Sequence, residues 1–189
     1  MTSNWIARTR VAVGMALLVL GLGACAEPAN HAAMTIEQPP AGAPPTGYRG
    51  AIVTGAIDGG RETSPVWKSN IGNDQFREAL ARSLLIAGLG NSTSGRYRFD
   101  ADLLRLDQPF LGFDLTVTAS VRYRLVESTT GTVVYDSTIT TPFTAPFSAS
   151  FIAVARLKIA NEGAARANIA RLIEELYALP GAPVARLRS

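Results

Sequence analysis

The sequence predicts an α+β fold, a two-layer sandwich in which an antiparallel sheet of about four strands carries two helices on one face, in the order β-α-β-β-β-α. Three observations predict it. Three consecutive stretches after residue 96 alternate apolar and polar side chains with the period of half-buried strands. Two stretches, near residues 73–87 and 148–179, space their apolar residues as helices do. An apolar run at 51–57 precedes the first helix, and short helices that follow and close a meander pack most simply on one sheet face.

The first strand is Ala51–Ile57, closed by Asp58-Gly59-Gly60, and Pro65–Ser69 continues in an extended or irregular form. Asn73 reads as an N-cap with Asp74 in the first turn, ahead of Phe76, Leu80, Leu84 and Ala87. Gly88-Leu89 fits a Schellman ending, where glycine supplies the left-handed residue. After the loop Gly90–Gly95, the residues Tyr97, Phe99, Ala101 and Leu103 alternate with Arg96, Arg98, Asp100 and Asp102. A second alternation runs through Leu115, Val117, Ala119, Val121, Tyr123 and Leu125, and a third through Val133, Tyr135, Ser137 and Ile139. The Ser128–Thr132 turn has Gly131 where a three-residue hairpin loop needs a left-handed residue. The last helix carries Val154, Leu157, Ala164, Ile169, Leu172, Ile173 and Leu176 on one broad face and stops at Pro180-Gly181. Gly163 within it costs about 1 kcal/mol against alanine, which points to a close helix-to-sheet approach or a break.

The chain's N-terminus follows another logic. Arg8 and Arg10 precede an apolar run from Val11 to Leu22. That run is shorter than the roughly 20 residues a bilayer-spanning helix needs, so it reads as a cleaved secretory signal over 1–24. Leu22-Gly23-Ala24-Cys25 resembles the lipobox, in which the cysteine is acylated and becomes the new N-terminus. Cys25 is the chain's single cysteine. Residues 25–47 are rich in alanine and proline and read as a semi-rigid tether, followed by one domain at 48–179 and a tail at 180–189. Ala26 stands where aspartate marks inner-membrane retention in enteric-type bacteria, which favours the outer membrane.

Removing the signal takes two of the 18 basic residues and none of the 15 acidic ones, so the mature chain carries +1 before its termini are counted. This argues against a nucleic-acid binder, which should show a basic stripe with interleaved aromatics. His31, the single histidine, sits in the tether, so a Ser-His-Asp or Cys-His centre or a histidine-based metal site is not expected in the domain. Phosphate-loop, nucleophile-elbow and dinucleotide motifs are missing from the sequence. No cofactor, no metal and no catalytic residue is expected, and the chain reads as non-enzymatic.

With the lipobox, the Pro-rich tether, the helix ending at Gly88-Leu89, the meander with Thr130-Gly131-Thr132-Val133-Val134-Tyr135-Asp136 and the long final helix, the chain resembles small envelope lipoproteins. These assist lipopolysaccharide assembly or serve as auxiliary lipoproteins of lipid-transport ABC systems. The resemblance implies a non-catalytic accessory that binds a membrane-protein partner or a lipid, and it assigns no functional residue.

Two surfaces are candidates for that binding. Pairing Tyr97 with Tyr123 and Phe99 with Val121 sets Arg98 opposite Arg122 and Arg96 opposite Arg124. Like charges directly opposite are destabilising. The next hairpin sets Arg124 beside Asp136. Unless the arginines merely splay into water, Arg96, Arg98, Arg122 and Arg124 could bind an anionic lipid phosphate or an acidic partner patch. The carboxylates Asp100 and Asp102 read as a solvated, charge-balanced face, and Asn161-Glu162 as exposed or capping. The second surface comprises Phe110 and Phe113 in the first hairpin, and Phe143 and Phe147 in Pro142–Phe147, which leads toward Phe151. These are satellite core or, if exposed, an apolar patch for a partner or acyl chain. The expected function is thus an envelope accessory lipoprotein facing the periplasm. The alternative is a tethered module for a soluble ligand or the cell wall, with an enclosed pocket between sheet and helices.

Overall fold

A computed structural model describes residues 27–62, 70–109 and 112–181. The expected signal segment, Cys25, the stretch predicted as extended at 65–69, Phe110 and the residues after 181 lie outside the described residues. The elements are α1 (His31–Met34), β1 (Ile52–Asp58), α2 (Asn73–Ile86), β2 (Tyr97–Asp107), β3 (Leu115–Glu127), β4 (Val133–Ala145), a 3-10 turn (Phe147–Ala149) and α3 (Ala153–Tyr177). The strands form one sheet in the order β1-β2-β3-β4, with the helices on one face, as the α+β sandwich requires.

The sheet is mixed, which corrects the all-antiparallel expectation. β1 runs parallel to β2, with Ile52 beside Tyr97 and Asp58 beside Asp102. A strand that returns to its neighbour through a helix comes back in the same direction, and α2 is that crossover. β2, β3 and β4 form the predicted antiparallel meander.

α2 forms because Phe76, Ala79, Leu80, Ser83 and Leu84 bury one stripe. Its N-cap is Gly72, not Asn73. The Asn73 side chain instead accepts the Gly60 N–H at 2.8 Å, tying the helix start to the exit of β1. Its end is the predicted Schellman motif. Gly88 has φ 67°, its N–H bonds Leu85 O at 2.9 Å, and the Leu89 N–H bonds Leu84 O at 3.0 Å. Gly131 likewise takes φ 73° in the β3–β4 turn. There Glu127 N–H bonds Thr132 O, so the closing pair spans residues 128–131, one more than predicted.

β4 is longer than its alternation suggested and absorbs Pro142–Ala145, which the sequence reads as a loop. It is an edge strand, where proline's missing N–H costs no ladder bond. Phe143 thereby faces α3, and a side-chain carbon on Gly163 would lie 2.2 Å from its ring. The glycine marks a close helix-to-sheet approach, as its position suggested.

Residues 29–48 differ from a free tether. Ala29, Met34, Ile36 and Tyr48 are buried in the main core, and α1 packs against both α2 and α3. The Ile36 N–H donates to the buried Ser83 hydroxyl at 3.2 Å. The segment holds few large apolar residues, but those few fill the groove between the helices.

Candidate functional site: an aromatic end beside a charge-balanced sheet face

The outer sheet face is built by the polar members of the three alternations. The register differs from the expected one, with Tyr97 opposite Glu127, Ala101 opposite Tyr123, Asp100 opposite Arg124 and Asp102 opposite Arg122. β3 has slid by four residues relative to the predicted pairing. An even slide keeps every side chain on its face, so hydrophobic alternation cannot detect it, and the connecting loop decides it. The stacking of like charges therefore does not occur.

Each of the four arginines has a carboxylate. Arg96 meets Glu127 at 2.8 Å, Arg98 meets Asp100 at 3.0 Å, Arg122 meets Asp136 at 2.7 Å, and Arg124 lies 3.8 Å from Asp102. Arg124 and Asp136 are register neighbours as expected, yet the bidentate contact with Asp136 belongs to Arg122 on the diagonal. The Arg122 guanidinium holds the Asp136 carboxyl below the ordinary carboxylate value. The Thr130 hydroxyl and Arg96 do the same for Glu127. An external anion would have to displace these carboxylates.

Asp100 is not solvated. β1 bulges between Thr54 and Ile57, and the Asp100 carboxylate accepts the Ala56 N–H at 2.9 Å. A side chain on Gly55 would strike it, which is why glycine opens the bulge. Asp100 is thus a structural group that satisfies a displaced strand amide.

Asn161 and Glu162 are buried too, contrary to the exposed reading. Asn161 Oδ1 accepts from the Gln108 side-chain amide at 2.8 Å, and Glu162 Oε1 accepts the Asn30 N–H at 2.7 Å. Burial pushes the Glu162 carboxyl above its ordinary value, and the Asn30 bond partly offsets this. Sequence reasoning missed Asn168, which is fully buried and accepts the Tyr123 O–H at 2.8 Å. Its amide nitrogen donates to Ala119 O, Ile139 O and Thr141 Oγ1 at 2.9–3.1 Å. The only signal for it was a polar residue on the apolar helix face.

The phenylalanine loops divide. Phe143 belongs to β4 and the helix-facing layer. Phe113 is 80% exposed and Phe151 is 82% exposed, with Phe147 and Ile152 also open to solvent. Phe113, Phe147 and Phe151 contact edge to face, with centroids 5.7 and 5.4 Å apart. The cluster is held from beneath by buried Arg156, which donates to Ser150 O and Gly112 O and lies 5.1 Å from the Phe147 centroid. The Asp114 carboxylate accepts the Phe147 N–H at 2.8 Å, joining the two loops.

Beside α3 a cavity of about 350 Å³ opens among Ile36, Pro39, Pro40, Phe143 and Ala170, with Arg166 at its rim paired to Glu37 at 2.9 Å. The space between sheet and helices is filled by Phe76, Leu80, Phe99, Tyr123, Ile169 and Leu172. Among the described residues no three His, Cys, Asp or Glu side chains gather as a metal site requires, and no helix is long and apolar enough to cross a membrane.

These features define a small α+β domain whose fold is shared with solved bacterial proteins of low sequence identity. A crystal structure of protein XCC0632 from Xanthomonas campestris, of the DUF330 family model, is similar at TM-score 0.58 and 15% identity, covering 76% of this chain and 91% of that one. A PelC dodecamer from Paraburkholderia phytofirmans gives TM-score 0.50 at 17% identity, over 71% and 92% of the two chains. A minor lipoprotein from Acinetobacter baumannii gives TM-score 0.47 at 12% identity, over 74% and 100%. At these identities the likeness is one of fold. No family model and no curated protein matches the sequence.

Proposed function

We propose that this chain is a non-catalytic lipoprotein, anchored through acylated Cys25, that serves as an accessory in envelope lipid transport or assembly by binding a protein partner or an anionic lipid. The observation that carries this reading is the aromatic end. Exposed phenylalanines are costly in water and are held in place here by a buried arginine, an arrangement that serves binding. The buried polar groups Asp100, Glu162 and Asn168 are occupied in structural bonds. The arginine face is secondary, because its guanidinium groups already hold carboxylates.

Affinity purification of the acylated protein from mildly cross-linked membranes, against a Cys25→Ser control, tests the reading. Recovery of a lipid-transport or assembly component is the expected result, and recovery of bulk lipid alone would count against it. In a density gradient the protein is expected with the outer membrane, and Ala26→Asp is expected to move it inward wherever the enteric sorting rule applies.

The cavity beside α3 favours a second reading, a tethered module for a soluble ligand. Ala167→Trp, which fills that cavity, should then abolish ligand binding while leaving membrane recovery unchanged.

A further inference from the structure

We infer that the aromatic end is the surface on which the domain sits against the bilayer that receives the acyl chains of Cys25. This rests on the anchored reading above and goes beyond it by fixing which end of the domain faces the lipid.

The strand registers bring the relevant termini together. The β2 end at Asp107, the β3 start at Leu115 and the β4 end at Ala145 are neighbours, and the 3-10 turn Phe147–Ala149 leads from β4 to the start of α3 at Ala153. Phe113, Phe147, Phe151 and Ile152 therefore project from one end of the molecule.

The chain's N-terminal segment runs to that same end. Asn30 N–H is bonded to Glu162, and the Glu27 carboxylate meets Lys158 at 2.7 Å. Lys158 lies one helical turn, about 6 Å, closer to the start of α3. Independently, Ala29 N–H bonds Asn70 O, and Asn70 lines a cavity with Leu103–Leu106 in the last part of β2. From Glu27, two further residues reach at most about 7 Å. An anchor at acylated Cys25 would therefore enter the bilayer within a few residues' reach of this end of the domain.

The chemistry of this end suits a lipid interface. Residues 146–161 include no acidic side chain and carry Arg156 and Lys158. Exposed Phe and Ile are side chains that settle at the boundary between headgroups and acyl chains, and the charges at this end balance, with Lys158 paired to Glu27 and Arg156 buried near Asp114, so the contact with lipid is apolar. The nearby Asp114 carboxylate is held by the Phe147 N–H. A protein partner at this end would have to displace a bilayer that the anchor keeps within a few residues' reach.

The test uses the full acylated chain in vesicles of phosphatidylethanolamine and phosphatidylglycerol. Spin labels are placed singly through Phe113→Cys, Phe151→Cys and, at the opposite end, Val133→Cys. All three positions are exposed, and unchanged circular dichroism checks the fold. Intact mass reports acylation separately. Labels at 113 and 151 should collide mainly with oxygen and be shielded from an aqueous nickel chelate, with the label at 133 showing the reverse. In an acylated protein, nickel access at 113 and 151 equal to that at 133 would overturn the inference while leaving the anchor intact. Shielding from both reagents would overturn it in favour of a protein interface. An unacylated mass would remove the anchor and this inference with it.

Discussion

At the residue scale, Asn168 joins α3 to β3 and β4 through one side chain, and it accepts the O–H of the buried Tyr123. Burial keeps that phenol protonated, since its pKa is pushed well above the ordinary value. Asn168→Ala should lower stability by about 2–4 kcal/mol, because stranded buried polar groups cost about 1–3 kcal/mol each. Urea unfolding measures this, and a cycle with Tyr123→Phe should show the two changes to be non-additive. Gly163→Ala sets helix propensity, about 1 kcal/mol in favour, against a collision with the Phe143 ring that should cost more. The net change should be destabilising in the native background and reverse sign when Phe143→Ala removes the ring. Glu162 contributes a pH dependence. Its raised pKa means the folded state holds the proton more tightly than the unfolded state, so its contribution falls as pH rises through the ordinary value of 4.5 toward the raised one. Glu162→Gln keeps an oxygen for Asn30 N–H. It should gain stability relative to the native chain at pH 7 but not at pH 3, although Lys158, Glu27 and Arg166 share the site. Of these groups only Gly163 was legible in the sequence, because an interior helix glycine has a known cost. Asn161, Glu162 and Asn168 were not, since burial of a polar side chain depends on partners far away in the chain.

At the element scale, the helices and the meander follow from periodicity and turn chemistry, and the left-handed Gly88 and Gly131 were read correctly, although the loop at Gly131 is one residue longer than expected. The sequence placed β4 too short, because Pro142 looks like a breaker until the strand is known to lie at the edge. It also took residues 25–47 for a semi-rigid tether outside the domain, because composition averages away three well-placed apolar side chains, Ala29, Met34 and Ile36. Met34 is fully buried, so Met34→Ala should cost about 2–4 kcal/mol in thermal or urea unfolding, where a free tether would give no change. α3 is uneven along its length. Its start has no side-chain cap, and its Ala160 and Ala164 pack with Leu115, Val117, Ala119 and Ala145 in a small separate cluster, whereas Ile169, Leu172, Ile173 and Leu176 sit in the main core. Amide exchange should accordingly be faster at 154–159 than at 169–176. Equal protection along α3 would show that the two clusters unfold as one.

For the whole molecule, the sequence by itself determined the two-layer class, the order of the four strands and two long helices, and which side of each strand faces the helices, and it carries the lipobox-like motif on which the anchored reading rests. These are properties of local pattern, written in spacings of two and of three to four residues and in short motifs. The tertiary structure decided the rest. It set β1 parallel to β2, slid β3 by four residues so that the arginines meet carboxylates, folded residues 29–48 onto the helices, and left Phe113, Phe147 and Phe151 exposed while drawing Phe143 inward. The physical reason is the same in each case. Alternation says which face a side chain occupies, but an even slide, a crossover and the packing of distant segments leave that pattern unchanged, so only long-range contacts choose among them.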